Sequence, residues 1–434
     1  MQLSKETFEM GLGGSFQNYL KGSDKPILIG LSGGVDSVVL LHLLVELGLS
    51  ERLKAIHIHH GLSENADDWL SFCDALCHKY QVAFQGLKVE LNTQKHSIEE
   101  AARIARYDVF ARHLSEGAYL LLAHHAGDQA ETLMFRLLRG TGGKGLAGMP
   151  ETRTLSDGYL YRPLLPFDKN SLIEYAKQNV LDWVEDESNQ DEIYSRNHIR
   201  HRIIPALQTF EKEAELRIEQ AARRLAFDYQ MLSNLSQEKL AKWQAIDGSL
   251  YLGELAILTQ KERTFWLRQY LELFSLSLTQ AQVLVLDTSF FSQQDKQPCF
   301  KHKQARLMRF QGRLYVLPAN LIDQNIGINL ATPVEREYDF YHLSINDKQA
   351  LDYDDFCLAV KPESCDLLLT NGHSRKLKKW FNDEKIPVWW REHLPYLFYK
   401  GELVAIANIW VKPSFQTRID IKWQPKTLLT WPKI

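Results

Sequence analysis

Hydrophobic residues in the first third of the chain fall into short, nearly unbroken runs separated by amphipathic stretches. That alternation builds a parallel sheet with helices wound on both faces. The runs at 26–31, 53–60, 83–91 and 118–125 predict strands, and the stretches at 36–47, 64–80, 97–115 and 127–139 predict helices. Ser97-Ile-Glu-Glu100 would open the third helix as a capping box. From about residue 215 the pattern changes: Leu216 to Phe227 has helical periodicity, whereas Ala305 to Phe310 and Arg313 to Leu317 alternate as strands do. No fixed-period repeat or low-complexity tract interrupts the chain.

The first strand runs into Leu31-Ser-Gly-Gly-Val-Asp-Ser37 and then an apolar helix. Gly33 and Gly34 permit a sharp turn that presents bare N–H groups, and the helix starting near Val35 points its positive end the same way. Ser32 and Ser37 add hydroxyl donors. Asp36 would repel a bare phosphate, so its presence argues for magnesium bridging it to a nucleotide. The bland alternative is a strand-turn-helix with a serine cap. No Gly-x-x-x-x-Gly-Lys-Ser/Thr loop occurs, which argues against γ-phosphoryl transfer. Asp128 and Glu131, three apart near the start of the fourth helix, share a face suited to a cation; helix capping is the competing explanation. The strand histidines His57, His59 and His60 read either as buried side chains or as ligands. Gly140-Thr-Gly-Gly-Lys-Gly145 follows a helix rather than a strand, so it is expected to be a flexible substrate-facing loop and not a dinucleotide site.

At 434 residues the chain is too long for one typical core, so two or three domains are expected. A net charge of -3 means that any RNA site must be a local patch. Five scattered cysteines argue for a reducing compartment, with Cys73 and Cys77 read as small buried hydrophobes rather than a metal pair. The amino terminus lacks a signal-peptide apolar core, and a cytoplasmic protein with no membrane contact is expected.

The Ser32–Ser37 string resembles the PP-loop signature of N-type ATP pyrophosphatases, which cleave ATP between the α and β phosphates and transfer AMP. His59-His-Gly-Leu62, Ala101-Ala-Arg-Ile-Ala-Arg-Tyr107, Gly127-Asp-Gln-Ala-Glu-Thr132, Arg139-Gly-Thr-Gly142, Arg162-Pro-Leu-Leu165, Glu185-Asp-Glu-Ser-Asn189 and Ser195-Arg-Asn-His-Ile-Arg200 are similar, in that order, to motifs of the bacterial tRNA(Ile)-lysidine synthetase family. So are Gly372-His-Ser-Arg-Lys-Leu-Lys-Lys-Trp-Phe381, Lys385-Ile-Pro387, Trp390-Arg391 and Leu394-Pro395 near the carboxyl end. Residues 365–372 depart from that family in lacking the expected basic character.

The resemblance implies an α/β doubly wound PP-loop domain over 1–212, a mainly helical middle domain over 213–345 and a small α+β tRNA-binding domain over 346–434. It implies ligation of L-lysine, through its ε-amine, to carbon 2 of the wobble cytidine of a tRNA(Ile) bearing CAU, with ATP consumed to AMP and pyrophosphate. By the same resemblance, Ser32, Gly33, Gly34, Val35, Asp36, Ser37 and His57 would bind ATP, with Asp36 also holding Mg2+ through the nucleotide. Asp128 and Glu131 would hold the substrate lysine, and Arg106 would neutralise phosphate or the lysine carboxylate. Arg196 and Arg200 would contact the tRNA backbone or order the domain edge, and Arg375, Lys376, Lys378 and Lys379, beside an apolar face of Leu377, Trp380 and Phe381, would contact tRNA, with a solvated helix face as the alternative. A homodimer is the assembly entertained. The rival readings are a PP-loop tRNA thiolase, which would need a catalytic cysteine pair near the site, and a nucleotide-regulated RNA-binding protein without turnover.

Overall fold

A computed structural model describes residues 2–61, 63, 65–91, 98–185, 195–292, 298–319, 328–329, 334–337, 341–347 and 355–425. The chain divides into two compact units, Met1–Leu232 and Ser233–Ile434.

The N-terminal unit begins with two short helices, α1 (Lys5–Gly11) and α2 (Gly14–Gly22), which the hydropathy pattern did not announce. The expected alternation follows: β1 (Ile27–Gly30), α3 (Val35–Glu46), β2 (Leu53–His59), α4 (Ala66–Lys79), β3 (Ala83–Lys88), α5 (Ile98–His113), β4 (Tyr119–Leu121) and α6 (Ala126–Leu138). Then come α7 (Gly143–Leu146), the unanticipated hairpin of β5 (Thr152–Leu155) and β6 (Gly158–Tyr161), and α8 (Lys169–Gln178). The sheet order is β3-β2-β1-β4-β6-β5, parallel throughout except for the antiparallel edge strand β5. Strand residues alternate between two cores. Ile27, Ile29, Leu53, Ala55 and Leu121 pack among residues of α1, α2, α3, α4 and α8, whereas Leu28, Ile56, Leu120 and Leu160 pack against Val109 and Phe110 of α5. Burial on both faces is why these strands read as continuous apolar runs rather than as a period of two.

Because β1 lies between β2 and β4, the winding direction reverses there. A crevice therefore opens beyond the carboxyl ends of β1 and β4, the usual ligand position in such sheets. The capping box expected at Ser97 and the motif at residues 186–189 lie outside the described residues.

The loop at 140–145 is not a free strap. Gly143–Leu146 makes a helical turn, and Arg136 donates to the Gly145 and Gly148 carbonyls at 2.9 and 2.7 Å. Chain after α8 continues as α9 (Ser195–His198), a π-helical turn over Ile199–Ile203, α10 (Ile204–Phe210) and the long α11 (Ala214–Trp243).

In the second unit, helices Gln260–Glu272 and Gln280–Phe291 pack with the β-hairpin Ala305–Phe310 and Arg313–Pro318 around Leu267, Leu286, Leu307 and Leu314. A second core further along joins Leu377, Trp380, Phe381 and Trp390 to strands such as Tyr396–Tyr399 and Glu402–Ile406. No helix among the described residues is long and apolar enough to cross a membrane.

Candidate active site

Between β1 and α3 the backbone turns within residues 31–34. Gly33 has φ of +90°, and a Cβ there would stand 2.8 Å from Val184 Cγ2 and 3.2 Å from Cys73 Sγ, so both conformation and space exclude a side chain. Ser37 ties the turn together. Its hydroxyl accepts from the Ser32 and Gly33 N–H groups at 3.2 Å each and donates to the Gly34 carbonyl at 2.9 Å, with Ser32 Oγ at 3.1 Å. Gly34 caps α3 without a side chain, so the N–H groups of the first turn, beginning at Val35, remain available to an anion. His57, nearly fully buried, donates from Nδ1 to the Leu31 carbonyl at 2.9 Å and so braces the loop from the neighbouring strand; burial lowers its pKa. Cys73 and Cys77 are buried beneath, and burial pushes both thiols up to about 12.

Asp36 is one residue inside α3. Lys169 Nζ donates to its two carboxylate oxygens at 2.7 and 2.8 Å. Lys169 is the first residue of α8, whose cap Asp168 accepts from the Ser171 N–H at 2.7 Å. A lysine there opposes the helix dipole, and the Asp36 carboxylate offsets that conflict. Lys169 was not anticipated. A single carboxylate beside an open helix N-terminus suits magnesium, a hard cation that takes one or two protein carboxylates and completes its shell with phosphate and water oxygens.

The opposite wall is built by the turn from β4 into α6. His125 caps α6: Nδ1 accepts from the Gly127 N–H at 3.0 Å, and the His125 N–H donates to Asp128 Oδ2 at 3.1 Å. A Cβ on Gly127 would lie 2.8 Å from the His125 ring. With Nδ1 accepting, the neutral ring carries its proton on Nε2, 3.6 Å from Asp128 Oδ2 and 3.9 Å from Asp36 Oδ2. His125 therefore stands between the two acidic centres as a donor and has no free lone pair with which to act as a base.

Asp128 thus does contribute to a cap, but Glu131 does not. Glu131 is buried and is clasped by two arginines, Arg196 Nε at 2.6 Å to Oε2 and Arg200 Nε at 2.5 Å to Oε1. Arg196 Nη2 also reaches Asp128 Oδ1 at 2.9 Å. Burial raises the pKa of Asp128, but His125, Arg196 and His124 outweigh it and hold the carboxyl well below its ordinary range. Arg196 and Arg200, expected to contact tRNA or to order the domain edge, are paired with Asp128 and Glu131. Glu215, at the start of α11, brings a further carboxylate to Gly127, and burial raises its pKa.

Arg106 lies on the cationic flank of this site. It keeps solvent exposure, yet desolvation by the groups packed around it lowers its pKa, and Arg196 and Arg103 add repulsion. Beside it, Arg162 is buried, donating from Nε to His124 Nδ1 at 3.2 Å and from Nη1 to the Pro150 carbonyl at 2.6 Å. Burial, with Arg162 and Arg196 nearby, pushes His124 down to about 3; burial and Arg106 push His60 down to about 4. Arg103 and Arg153 stand over the Tyr107 ring at 5.7 and 5.0 Å. Among the described residues none of Arg103, Arg106, Arg153 and Arg162 has a carboxylate partner.

In the second unit, Leu377–Asp383 forms a helix that buries Leu377, Trp380 and Phe381, the apolar face expected from sequence. Lys376, Lys378 and Lys379 are exposed, while Arg375 is held by Asp383 at 2.7 Å. Residues Asp366–Leu368, in the stretch that departs from the basic pattern, pair antiparallel with Ser374–Lys376.

Residues 6–207 match the family described as PP-loop domain, and residues 361–423 match the TilS substrate C-terminal domain. The chain is 32% identical over 426 residues to the tRNA(Ile)-lysidine synthase of Photorhabdus laumondii, an alignment covering 94% of this chain and 96% of that one. It is 33% identical to that of Vibrio campbellii, over 92% and 94% of the two chains. With that of Pseudomonas syringae pv. tomato it shares 34% identity over 91% of each.

Proposed function

This chain belongs to the tRNA(Ile)-lysidine synthase family, and from that premise we propose that its two acidic centres divide the reaction between them. The enzyme is an ATP-dependent carbon–nitrogen ligase that forms lysidine on tRNA(Ile). The turn at 32–37 receives the ATP phosphates through the N–H groups at the start of α3. Asp36 would hold a magnesium ion, which would shield their charge. Lys169, already at Asp36, supplies a second positive group to the same phosphates.

The cytosine 2-oxygen attacks the α-phosphorus and pyrophosphate leaves. The lysine ε-amine then attacks carbon 2 of the adenylated base, and AMP leaves as the carbon–nitrogen bond forms. Asp128 and Glu131 position the ammonium-bearing substrate, and Arg106 balances phosphate or carboxylate charge nearby. His57 serves the nucleotide site through the loop it braces. Lys376, Lys378 and Lys379, with Arg375, add a basic surface for tRNA(Ile) bearing CAU. The whole is read as a cytoplasmic enzyme, with a homodimer as its assembly.

One observation carries the proposal: His125 Nε2 lies 3.9 Å from Asp36 and 3.6 Å from Asp128, so a magnesium-type centre and an ammonium-type centre are neighbours across one ring. A thiolase is disfavoured by the state of its candidate sulfurs, since Cys73 and Cys77 are buried and protonated with pKa near 12. Incubation with ATP, magnesium, labelled lysine and precursor tRNA, followed by nucleoside analysis, tests the reading; label confined to free lysine would defeat it.

A further inference from the structure

Asp128 and Glu131 contribute two negative charges to the ammonium centre, and Arg196 and Arg200 cancel both. The match is close: Arg196 bridges the two carboxylates through Nη2 and Nε at 2.9 and 2.6 Å, as a bound alkylammonium would have to. Arg200 takes Glu131 through Nε and Nη2 at 2.5 and 3.1 Å. Glu131 is only 4% exposed in its side chain, so an incoming lysine cannot bind beside these arginines and must take the place of one. Each arginine is itself about one-third exposed and has solvent in which to withdraw.

What would draw an arginine away is also present. Arg196 repels Arg106, and the neighbouring Arg103, Arg153 and Arg162 have no carboxylate partner among the described residues. Such a flank attracts a polyanion, and a phosphate bound there offers Arg196 a second partner of the kind guanidinium groups prefer. Arg200 sits in the π-helical turn Ile199–Ile203, a backbone form that concentrates at functional sites.

We infer that Arg196 and Arg200 are internal counter-ions that mask the lysine site until RNA phosphate draws them off, so that lysine binds tightly only after tRNA. The inference rests on the assignment of Asp128 and Glu131 to lysine. Its use is to keep free lysine out of the site until an acceptor base is in place. In linkage terms, the apparent lysine affinity is the intrinsic affinity scaled by the fraction of molecules with the carboxylates uncovered.

Equilibrium dialysis of labelled L-lysine against the full chain, without ATP and with or without precursor tRNA, tests this. For the unaltered protein, tRNA should tighten lysine binding about tenfold, the worth of one charge-assisted hydrogen bond. Arg196→Gln should bind lysine about tenfold tighter without tRNA and gain little more from it. Arg200→Gln carries the same expectation and decides the matter where the first variant does not fold. Equal lysine affinity with and without tRNA, or no tightening in either variant, overturns the counter-ion role. Glu131→Gln separates the two readings. Unchanged lysine affinity in that variant means the ammonium site itself is elsewhere, whereas weakened affinity there without tightening in the arginine variants removes the counter-ions alone.

Discussion

The cations of the two compact units live in different surroundings. In the N-terminal unit Lys169, Arg196 and Arg200 are bonded at 2.5 to 2.9 Å to carboxylates that are mostly shielded from water. In the C-terminal unit Lys376, Lys378 and Lys379 are exposed, with no ion-pair partner among the described residues. Shielded pairs fix geometry and resist salt, because breaking one strands a charge in a poorly solvated place. Exposed ammonium groups fix little, but they add attraction to a phosphate backbone that fades as salt rises. The first unit's cations thus suit control of a reaction, and the second unit's suit capture of a large polyanion.

The most damaging way to test the contrast is at Asp36. Asp36→Asn should reduce AMP formation to background while circular dichroism stays native, because the side chain projects from the first turn of α3 outside the hydrophobic core and its loss leaves only half-exposed Lys169 without its partner. A folded variant with normal AMP release would take Asp36 out of the chemistry. Next in size, Ala at Asp128 or Glu131 should raise the lysine concentration needed for half-maximal rate by about tenfold or more, since a charge-assisted bond contributes roughly 1.5 to 3 kcal/mol. Adenylated tRNA should still accumulate. If the lysine dependence of both variants is unchanged, Asp128 serves to cap α6 and both acids serve to hold Arg196 and Arg200 rather than lysine.

The third test concerns stability. Burial pushes His124 down to about 3 in the folded chain, below the ordinary histidine value near 6.5, so the unfolded state binds more protons between those limits. Folding stability contributed by this residue should therefore fall as pH drops from about 6.5 towards 4. His124→Asn should flatten that slope by about one proton, read from denaturant midpoints along a pH series; an unaltered slope would show that His124 is not the group concerned. The smallest effect is expected in the C-terminal unit. Replacing Lys376, Lys378 and Lys379 with Ala should leave nucleotide binding intact and reduce the log-log salt slope of tRNA binding by about one for each phosphate no longer neutralised. Identical slopes would make the cluster an ordinary solvated face.

What the sequence disclosed depended on how locally each feature is encoded. The turn at 32–37 and the Asp128 and Glu131 pair were legible because their parts are neighbours along the chain and take their geometry from one strand end or one helix face. The paired arginines were legible as positive charge but not in direction, since Arg196 is 65 residues from Glu131 and only the fold brings them together. Lys169 was silent for the same reason, 133 positions from Asp36 and looking like an ordinary solvated lysine. The β5–β6 hairpin escaped because its strands are four residues each, too short to show a period. His125 offered a hint in its place just before an apolar helix, but which ring nitrogen holds the proton is set by the Gly127 N–H and cannot be read from spacing.

The five thiols of the chain are graded in their environment, and this has a practical consequence for following the enzyme at work. Cys73 and Cys77 are fully buried and hold their protons to a pH near 12, so neither presents thiolate to an alkylating reagent at neutral pH. Cys357 and Cys365 are partly covered, and burial raises the pKa of the latter. Cys299 alone is exposed, in a short edge strand of the second unit. A maleimide dye should therefore attach first at Cys299 in the native chain. That gives a single-site fluorescent label without removing a single cysteine, and leaves the sulfurs beneath the 32–37 turn untouched.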